Sequence, residues 1–172
     1  INPMKTNVDF SAFQDCENLQ SMVITSDDSI IVPFNDEPFH GITKIIISSS
    51  VTTIKAYSFK RFLYIKEIFI PESVSCIDHS AFAGCLSLER INLPYLEKLE
   101  ICMFYGCSSL RELNFPSNLI VVECFSFFGC SSLKEIILPE SVYATGRFTF
   151  AHCISITRIK LPDSLMYIGE AS

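Results

Sequence analysis

The sequence predicts a mainly β solenoid, in which short turns of a right-handed coil stack on one another, and three observations support this fold class. A Phe-x-x-Cys frame recurs along the chain, and the cysteines Cys85, Cys107, Cys130 and Cys153 follow one another at spacings of 22, 23 and 23 residues. Apolar residues alternate with other residues in a short stretch of each unit, and a proline ends that stretch in five units. A repeat of this length is typical of stacked coils, each of which buries its apolar side against the next.

Each unit contains a strand, a corner, an extended back side and a turn. Ile68 and Ile70 are inward positions on either side of Phe69, and this alternation predicts a strand. Pro71 ends that strand, because proline has no N–H for a ladder hydrogen bond. The segment 81–85 fits a short turn or a 3₁₀ segment. Stacking then predicts a parallel sheet on the concave face of the solenoid, with short turns or 3₁₀ segments on its back.

The units form one array, which we interpret as a single domain over residues 1–172. Its predicted divisions are a partial repeat, six full repeats and a second partial repeat, at 1–16, 17–39, 40–62, 63–85, 86–107, 108–130, 131–153 and 154–172. Repeat 86–107 is one residue short, and we place the missing residue between Pro94 and Leu96. Both ends of the chain fall inside a repeat and have no polar cap, so we expect the chain to be part of a longer solenoid.

Two inward columns of side chains are expected to fill the core. Six phenylalanines form one column, Phe13, Phe59, Phe82, Phe104, Phe127 and Phe150. Burying each ring is worth about 1.5–3 kcal/mol relative to leaving it exposed. Five cysteines form the other column, Cys16, Cys85, Cys107, Cys130 and Cys153. We interpret these as buried thiols that act as small apolar side chains, and disulfides between stacked coils remain the alternative.

Charge and hydropathy exclude several classes of function. The 13 basic and 19 acidic residues give a net charge of -6, so the chain as a whole does not attract nucleic acid or an anionic membrane surface. Uncharged runs such as 113–122 are too short for a membrane helix, which needs about 20 residues. We therefore expect no nucleic-acid partner and no membrane insertion.

Residues for catalysis or metal binding do not cluster in the sequence. The three histidines, His40, His79 and His152, lie in different repeats at different positions. No glycine-rich phosphate loop, no metalloprotease motif and no Cys-x-x-Cys pair occurs. The sequence therefore predicts no catalytic residue, no metal site and no cofactor.

The outward positions of the predicted strands are the better candidates for binding. They carry charges that alternate in sign along the sheet, an Asn pair and three apolar residues; we call them the sheet face. The sheet face comprises Lys44, Ile46, Glu67, Phe69, Arg90, Asn92, Glu112, Asn114, Glu135, Ile137, Arg158 and Lys160. One interpretation is a solvated ladder of mutually paired charges. The other is a recognition surface, since Ile46 and Phe69 would be adjacent exposed apolar residues.

These patterns resemble a known family of repeats. The segments Leu110-x-x-Leu113-x-Phe115-Pro116 and Leu133-x-x-Ile136-x-Leu138-Pro139, each followed by Phe-x-x-Cys, are similar to BspA-type leucine-rich repeats. The resemblance covers residues 40–172, and more loosely 1–39. It implies a leucine-rich-repeat coil, a place on the surface of an anaerobic bacterium or a parasitic protist, adhesion to host or matrix proteins, and no enzymatic activity.

The sequence and this resemblance together favour a non-enzymatic binding module at the cell surface or outside the cell. Its expected partner is a protein, of the host or of a matrix, or a glycan, bound on the sheet face. The alternative is an intracellular structural scaffold of the cytoplasm or cytoskeleton, which packs laterally in a larger assembly and keeps its cysteines reduced.

Overall fold

The computed structural model describes residues 18–25 and 41–172, which form a β-solenoid of about six turns. Thirteen short strands follow one another in these two ranges: β1 (Ser21–Ile24), β2 (Lys44–Ile47), β3 (Thr53–Ile54), β4 (Glu67–Phe69), β5 (Cys76–Ile77), β6 (Arg90–Asn92), β7 (Lys98–Leu99), β8 (Glu112–Asn114), β9 (Val121–Val122), β10 (Glu135–Ile137), β11 (Ala144–Thr145), β12 (Arg158–Lys160) and β13 (Tyr167–Ile168). The predicted solenoid with a parallel sheet is confirmed.

The strand that opens each repeat contributes to the main sheet. β1, β2, β4, β6 and β8 pair in parallel in that order, and β10 pairs separately with β12. Equivalent residues lie side by side, so that Ile45 is beside Ile68, and Ile68 is beside Ile91. These three side chains are buried, whereas their chain neighbours point outwards. The alternation of apolar residues thus sets which side of the sheet faces the core.

The extended back side of each coil forms a second row of two-residue strands. β3 pairs with β5, and β7, β9, β11 and β13 pair in a separate sheet. No pairing between β5 and β7 is present in this described stretch, and the register explains the break. Arg90 pairs with Glu112, 22 residues on, whereas Lys98 pairs with Val121, 23 residues on. The missing residue therefore lies between these two pairs, as the sequence indicates, and displaces β7 relative to β5.

Stacked phenylalanine rings run through the core as predicted. Centroid distances between successive rings are 5.6 Å from Phe59 to Phe82, 5.4 Å to Phe104, 5.3 Å to Phe127 and 5.6 Å to Phe150. The ring planes are within 19° of parallel, and the three central rings are fully buried. Phe13, which the prediction includes, lies outside the described residues.

The segments after the back strands are successive turns, and the described residues contain no helix of either the α or the 3₁₀ type. Each turn has two residues with positive φ, for example Cys102 (57°) and Gly106 (71°). These left-handed residues interrupt the run of negative φ that a 3₁₀ segment requires. Their N–H groups bond to the next coil instead, as Gly106 does to the Phe128 carbonyl at 2.7 Å.

The cysteine column is buried, and its thiols make a repeated hydrogen bond. Cys85, Cys107, Cys130 and Cys153 are free thiols, and each donates its S–H to the carbonyl of a phenylalanine in the preceding coil at 3.0–3.2 Å. A small side chain with a weak donor therefore fits this column better than a purely apolar one. Cys16 lies outside the described residues.

Candidate functional site

The sheet face lies on the outward side of the main sheet. All twelve of its residues are exposed or half-buried. Its three apolar members, Ile46, Phe69 and Ile137, have 36%, 47% and 43% of their surface exposed, so they are not part of the core. The structure therefore presents these residues to solvent on rigid strands, and the assignment of a binding role to them stays a prediction.

A shallow hollow of about 300 Å³ lies on the sheet face over β4, β6 and β8. Six of the predicted residues line it, and they are Glu67, Phe69, Arg90, Asn92, Glu112 and Asn114. Lys44 and Ile46 lie beside this hollow on β2, and the remaining four residues lie on β10 and β12. The structure thus brings half of the predicted residues together around one concavity.

Two of the predicted charge pairs form across neighbouring strands. Arg90 Nη2 lies 2.9 Å from Glu67 Oε1, and Arg158 Nη1 lies 2.5 Å from Glu135 Oε1. Lys44 Nζ lies 4.6 Å from the centroid of the Phe69 ring. These groups are solvent-exposed, so each ion pair contributes no more than about 1 kcal/mol to stability. Their main effect is to orient the side chains around the hollow.

Other predicted pairings are not made within the described part of the face. Lys66, Glu89 and Arg111 follow one another in sign, yet no ion pair joins them there. Asn92 and Asn114 are in register, but no hydrogen bond links their amides. The sequence gives the order of these side chains, whereas the direction of each flexible side chain depends on competing neighbours and on water.

The alternation of charge fails at one junction, between β8 and β10. Arg111 and Lys134 occupy equivalent positions, as do Glu112 and Glu135, so that two like-charged pairs meet here. β8 and β10 lie beside each other without a strand ladder, and this is where the main sheet is interrupted. Like charges directly opposite are destabilising in a sheet. The 23-residue spacing was sufficient to find this junction, but the alternating ladder predicted from the first three coils hid it.

A second aromatic cluster, at the turns, has no counterpart in the sequence analysis. Tyr105 stacks on Phe128 with a centroid distance of 5.0 Å, and Phe125 stacks on Phe148 at 5.2 Å. Phe125 and Phe148 have φ values of 59° and 55°, a conformation that costs a bulky residue energy. Aromatic residues at the same turn positions of consecutive repeats were the available signal.

The histidines and cysteines do not form a catalytic or metal site in the described ranges. His79 packs against the Tyr57 ring at 4.9 Å, and His152 against the Phe128 ring at 4.8 Å. No group of three or more potential metal ligands occurs in residues 18–25 and 41–172. His40 lies outside these ranges. Within them, no helix is of the length and apolar character that crossing a lipid bilayer requires.

Comparison with known structures places this fold among bacterial repeat proteins. A leucine-rich cell surface protein from Faecalibacterium prausnitzii is 27% identical with a TM-score of 0.67; the alignment covers 69% of this chain and 31% of that protein. A leucine-rich repeat protein from T. pallidum is also 27% identical, with a TM-score of 0.67 and coverage of 74% and 69%. A Bacteroides ovatus leucine-rich repeat protein is 28% identical, with a TM-score of 0.56 and coverage of 75% and 40%.

The similarity spans less than a third of the F. prausnitzii protein. No match is found among curated proteins. The family model for the BspA type leucine-rich repeat region matches residues 2–107 and 97–172, in six copies. Because these matches extend over nearly the whole sequence, the chain belongs to the family of BspA-type leucine-rich repeat proteins.

Proposed function

We propose that the chain is a non-enzymatic binding module that acts in adhesion at the cell surface and recognises proteins through its sheet face. The observation that supports this most directly is a stripe of exposed apolar residues. Val23, Ile46 and Phe69 lie side by side on β1, β2 and β4, and the hollow begins at Phe69. A contiguous exposed apolar stripe with a polar border is typical of an interaction site.

Val23 extends the stripe beyond the predicted residues. It is 57% exposed and pairs in register with Ile46. The sequence analysis left it out, because the repeat that contains it departs from the consensus after its strand. Three adjacent apolar rungs give a partner a strip about 10 Å long, at a spacing of about 4.8 Å between strands.

The groups that line the hollow suit recognition better than catalysis. They are one aromatic ring, two amides and charged side chains, and no thiol, hydroxyl or imidazole is among them. Amides and ion-paired side chains fix the orientation of a bound segment by hydrogen bonds, while Phe69 provides apolar contact. The similarity to a protein described as a cell surface protein supports placing this module outside the cell.

The binding role is tested with a panel of purified extracellular-matrix proteins, host surface glycoproteins and glycans, measured by biolayer interferometry. Phe69→Ser and Arg90→Glu are compared with wild type and with Tyr143→Ser, which removes a 42%-exposed ring on the side of the second sheet. We expect Phe69→Ser to weaken binding to a panel protein about 10- to 100-fold, as loss of a central aromatic contact does. Unchanged binding by both sheet-face variants would remove this face from consideration.

The proposed location is tested separately on intact cells. An antibody against the chain, or protease added from outside, should reach it without permeabilisation. Labelling that appears only after permeabilisation would favour the intracellular scaffold instead.

A further inference from the structure

Charge is unevenly distributed between the sheet face and the rest of the chain. We define the rim as the residues that immediately precede the strands β2, β4, β6, β8, β10 and β12, namely Thr43, Lys66, Glu89, Arg111, Lys134 and Thr157. The sheet face and rim together carry seven of the 13 basic side chains but four of the 19 acidic ones, a balance of +3. The whole chain has a net charge of -6, so the remaining sequence, with six basic and fifteen acidic residues, has a balance of -9.

The rim supplies the cations that are free to bind. Arg90 and Arg158 are held by glutamates of neighbouring strands. Lys66, Arg111 and Lys134 are exposed, and the described part of the chain gives them no ion-pair partner. Arg111 and Lys134 also lie next to each other at the junction where β8 and β10 do not pair. Two adjacent cations repel each other, and a carboxylate placed between them would remove that repulsion.

We propose that the sheet face binds an acidic polypeptide segment that also carries apolar side chains. This inference rests on the proposed function and specifies the chemistry of the partner. A carboxylate of the segment contacts Arg111 and Lys134, and an apolar side chain packs on Phe69 and Ile46. β4 and β8 are two strand spacings apart, about 10 Å, which an extended segment covers in about three residues. The segment therefore has an apolar residue about three positions from an acidic one.

The face fits a polypeptide better than a continuous polyanion such as a sulfated glycan. Glu67, Glu112 and Glu135 lie between the cations, and each would repel an anion that ran unbroken across the coils. A polypeptide alternates charged, apolar and amide groups and can leave these carboxylates uncontacted. The apolar stripe gains nothing from a sulfated sugar, whereas it fits apolar side chains.

Binding is tested by fluorescence anisotropy with a labelled random copolymer of glutamate and tyrosine. Parallel measurements use a lysine–tyrosine copolymer and heparin. The sheet-face variant is Arg111→Glu/Lys134→Glu. Its matched control is Lys60→Glu/Arg147→Glu, which makes the same change in net charge at the turns, where these cations lie near the rings of Tyr57 and Phe148. Circular dichroism verifies that both variants keep the wild-type fold.

We expect the sheet-face variant to weaken binding of the glutamate–tyrosine copolymer on the order of tenfold, since two exposed charge contacts reverse in sign. The control should change it less than twofold, and Phe69→Ser should weaken it as well. Equal weakening by variant and control overturns the inference, because the effect would then be one of net charge. Tighter binding of heparin than of the copolymer at the same face also overturns it.

The experiment separates this inference from the proposed function. If Phe69→Ser weakens the lysine–tyrosine copolymer and Arg111→Glu/Lys134→Glu leaves the glutamate–tyrosine copolymer unchanged, the face binds polypeptides of the opposite charge; the inference then fails and the proposed function stands. If neither copolymer responds to Phe69→Ser, both fail.

Discussion

Truncation of the central ring of the phenylalanine column measures how strongly the coils depend on one another. Phe104 is fully buried and lies between Phe82 and Phe127, at centroid distances of 5.4 and 5.3 Å. In Phe104→Ala the two stacking contacts are lost and a cavity opens between three coils. We expect this change to lower the free energy of unfolding by about 3–5 kcal/mol, the range for buried Phe→Ala changes. The two ring contacts account for about 1–3 kcal/mol of this loss.

The assay is urea unfolding followed by far-ultraviolet circular dichroism. With a slope of about 2 kcal/mol/M, the midpoint of Phe104→Ala should fall by about 2 M. Phe150→Ala is the matched control, because this ring is half-buried and stacks on Phe127 at 5.6 Å; we expect a loss about half as large. The reasoning is refuted if Phe104→Ala is no more destabilising than Phe150→Ala, since the column would then not act as a continuous core.

Two further predictions concern the cysteine column and the glycines of the last coils. Burial raises the pKa of Cys107 to about 12, against an ordinary value of 9.0, so the native state keeps a proton that the unfolded state loses above pH 9. The stability that this thiol contributes is complete below pH 9 and is lost as the pH rises towards 12; urea unfolding of Cys107→Ala should therefore decline about 1 kcal/mol less between pH 8 and pH 10 than that of wild type, and an identical decline would contradict this. Gly146→Ala should be more destabilising than Gly106→Ala in the same assay, because a Cβ on Gly146 would overlap the backbone of Cys124, whereas one on Gly106 meets open space and costs only about 1 kcal/mol for its φ of 71°. Equal losses in the two variants would show that close packing of coils at Gly146 is not limiting.

The fold could be predicted because the repeat constrains every inward position in the same way. Ile45, Ile68 and Ile91 recur at one spacing, and a shift by one residue would turn each of them to solvent. Even the short repeat could be located, since its lost residue changes the spacing of all later columns. Local propensity contributed less, because strands of two or three residues have little preference of their own.

The turns could not be predicted in the same detail. Their positive-φ positions hold glycine in three repeats at one position, but Ser80, Cys102 and Phe125 are among the occupants of the other. These residue types do not signal a left-handed conformation. Hydrogen bonds to the adjacent coil impose it, as from the Cys102 N–H to the Cys124 carbonyl at 3.1 Å. Such bonds depend on the stacked neighbour, and no single repeat contains the information.

The sheet face was located correctly as exposed, but its internal order depends on differences between repeats that a consensus averages out. The like-charged pairs at β8 and β10 show why this matters for function. Two opposite-charge pairs in their place would stabilise the sheet by about 0.2–1 kcal/mol each, and would follow the pattern set by Glu67 and Arg90. A departure that lowers stability, at an exposed position with no packing requirement, is the kind of feature that proteins keep at binding sites. Arg111 and Lys134 thus belong to the surface that distinguishes this array from its own consensus, and the partner's chemistry should be sought there first.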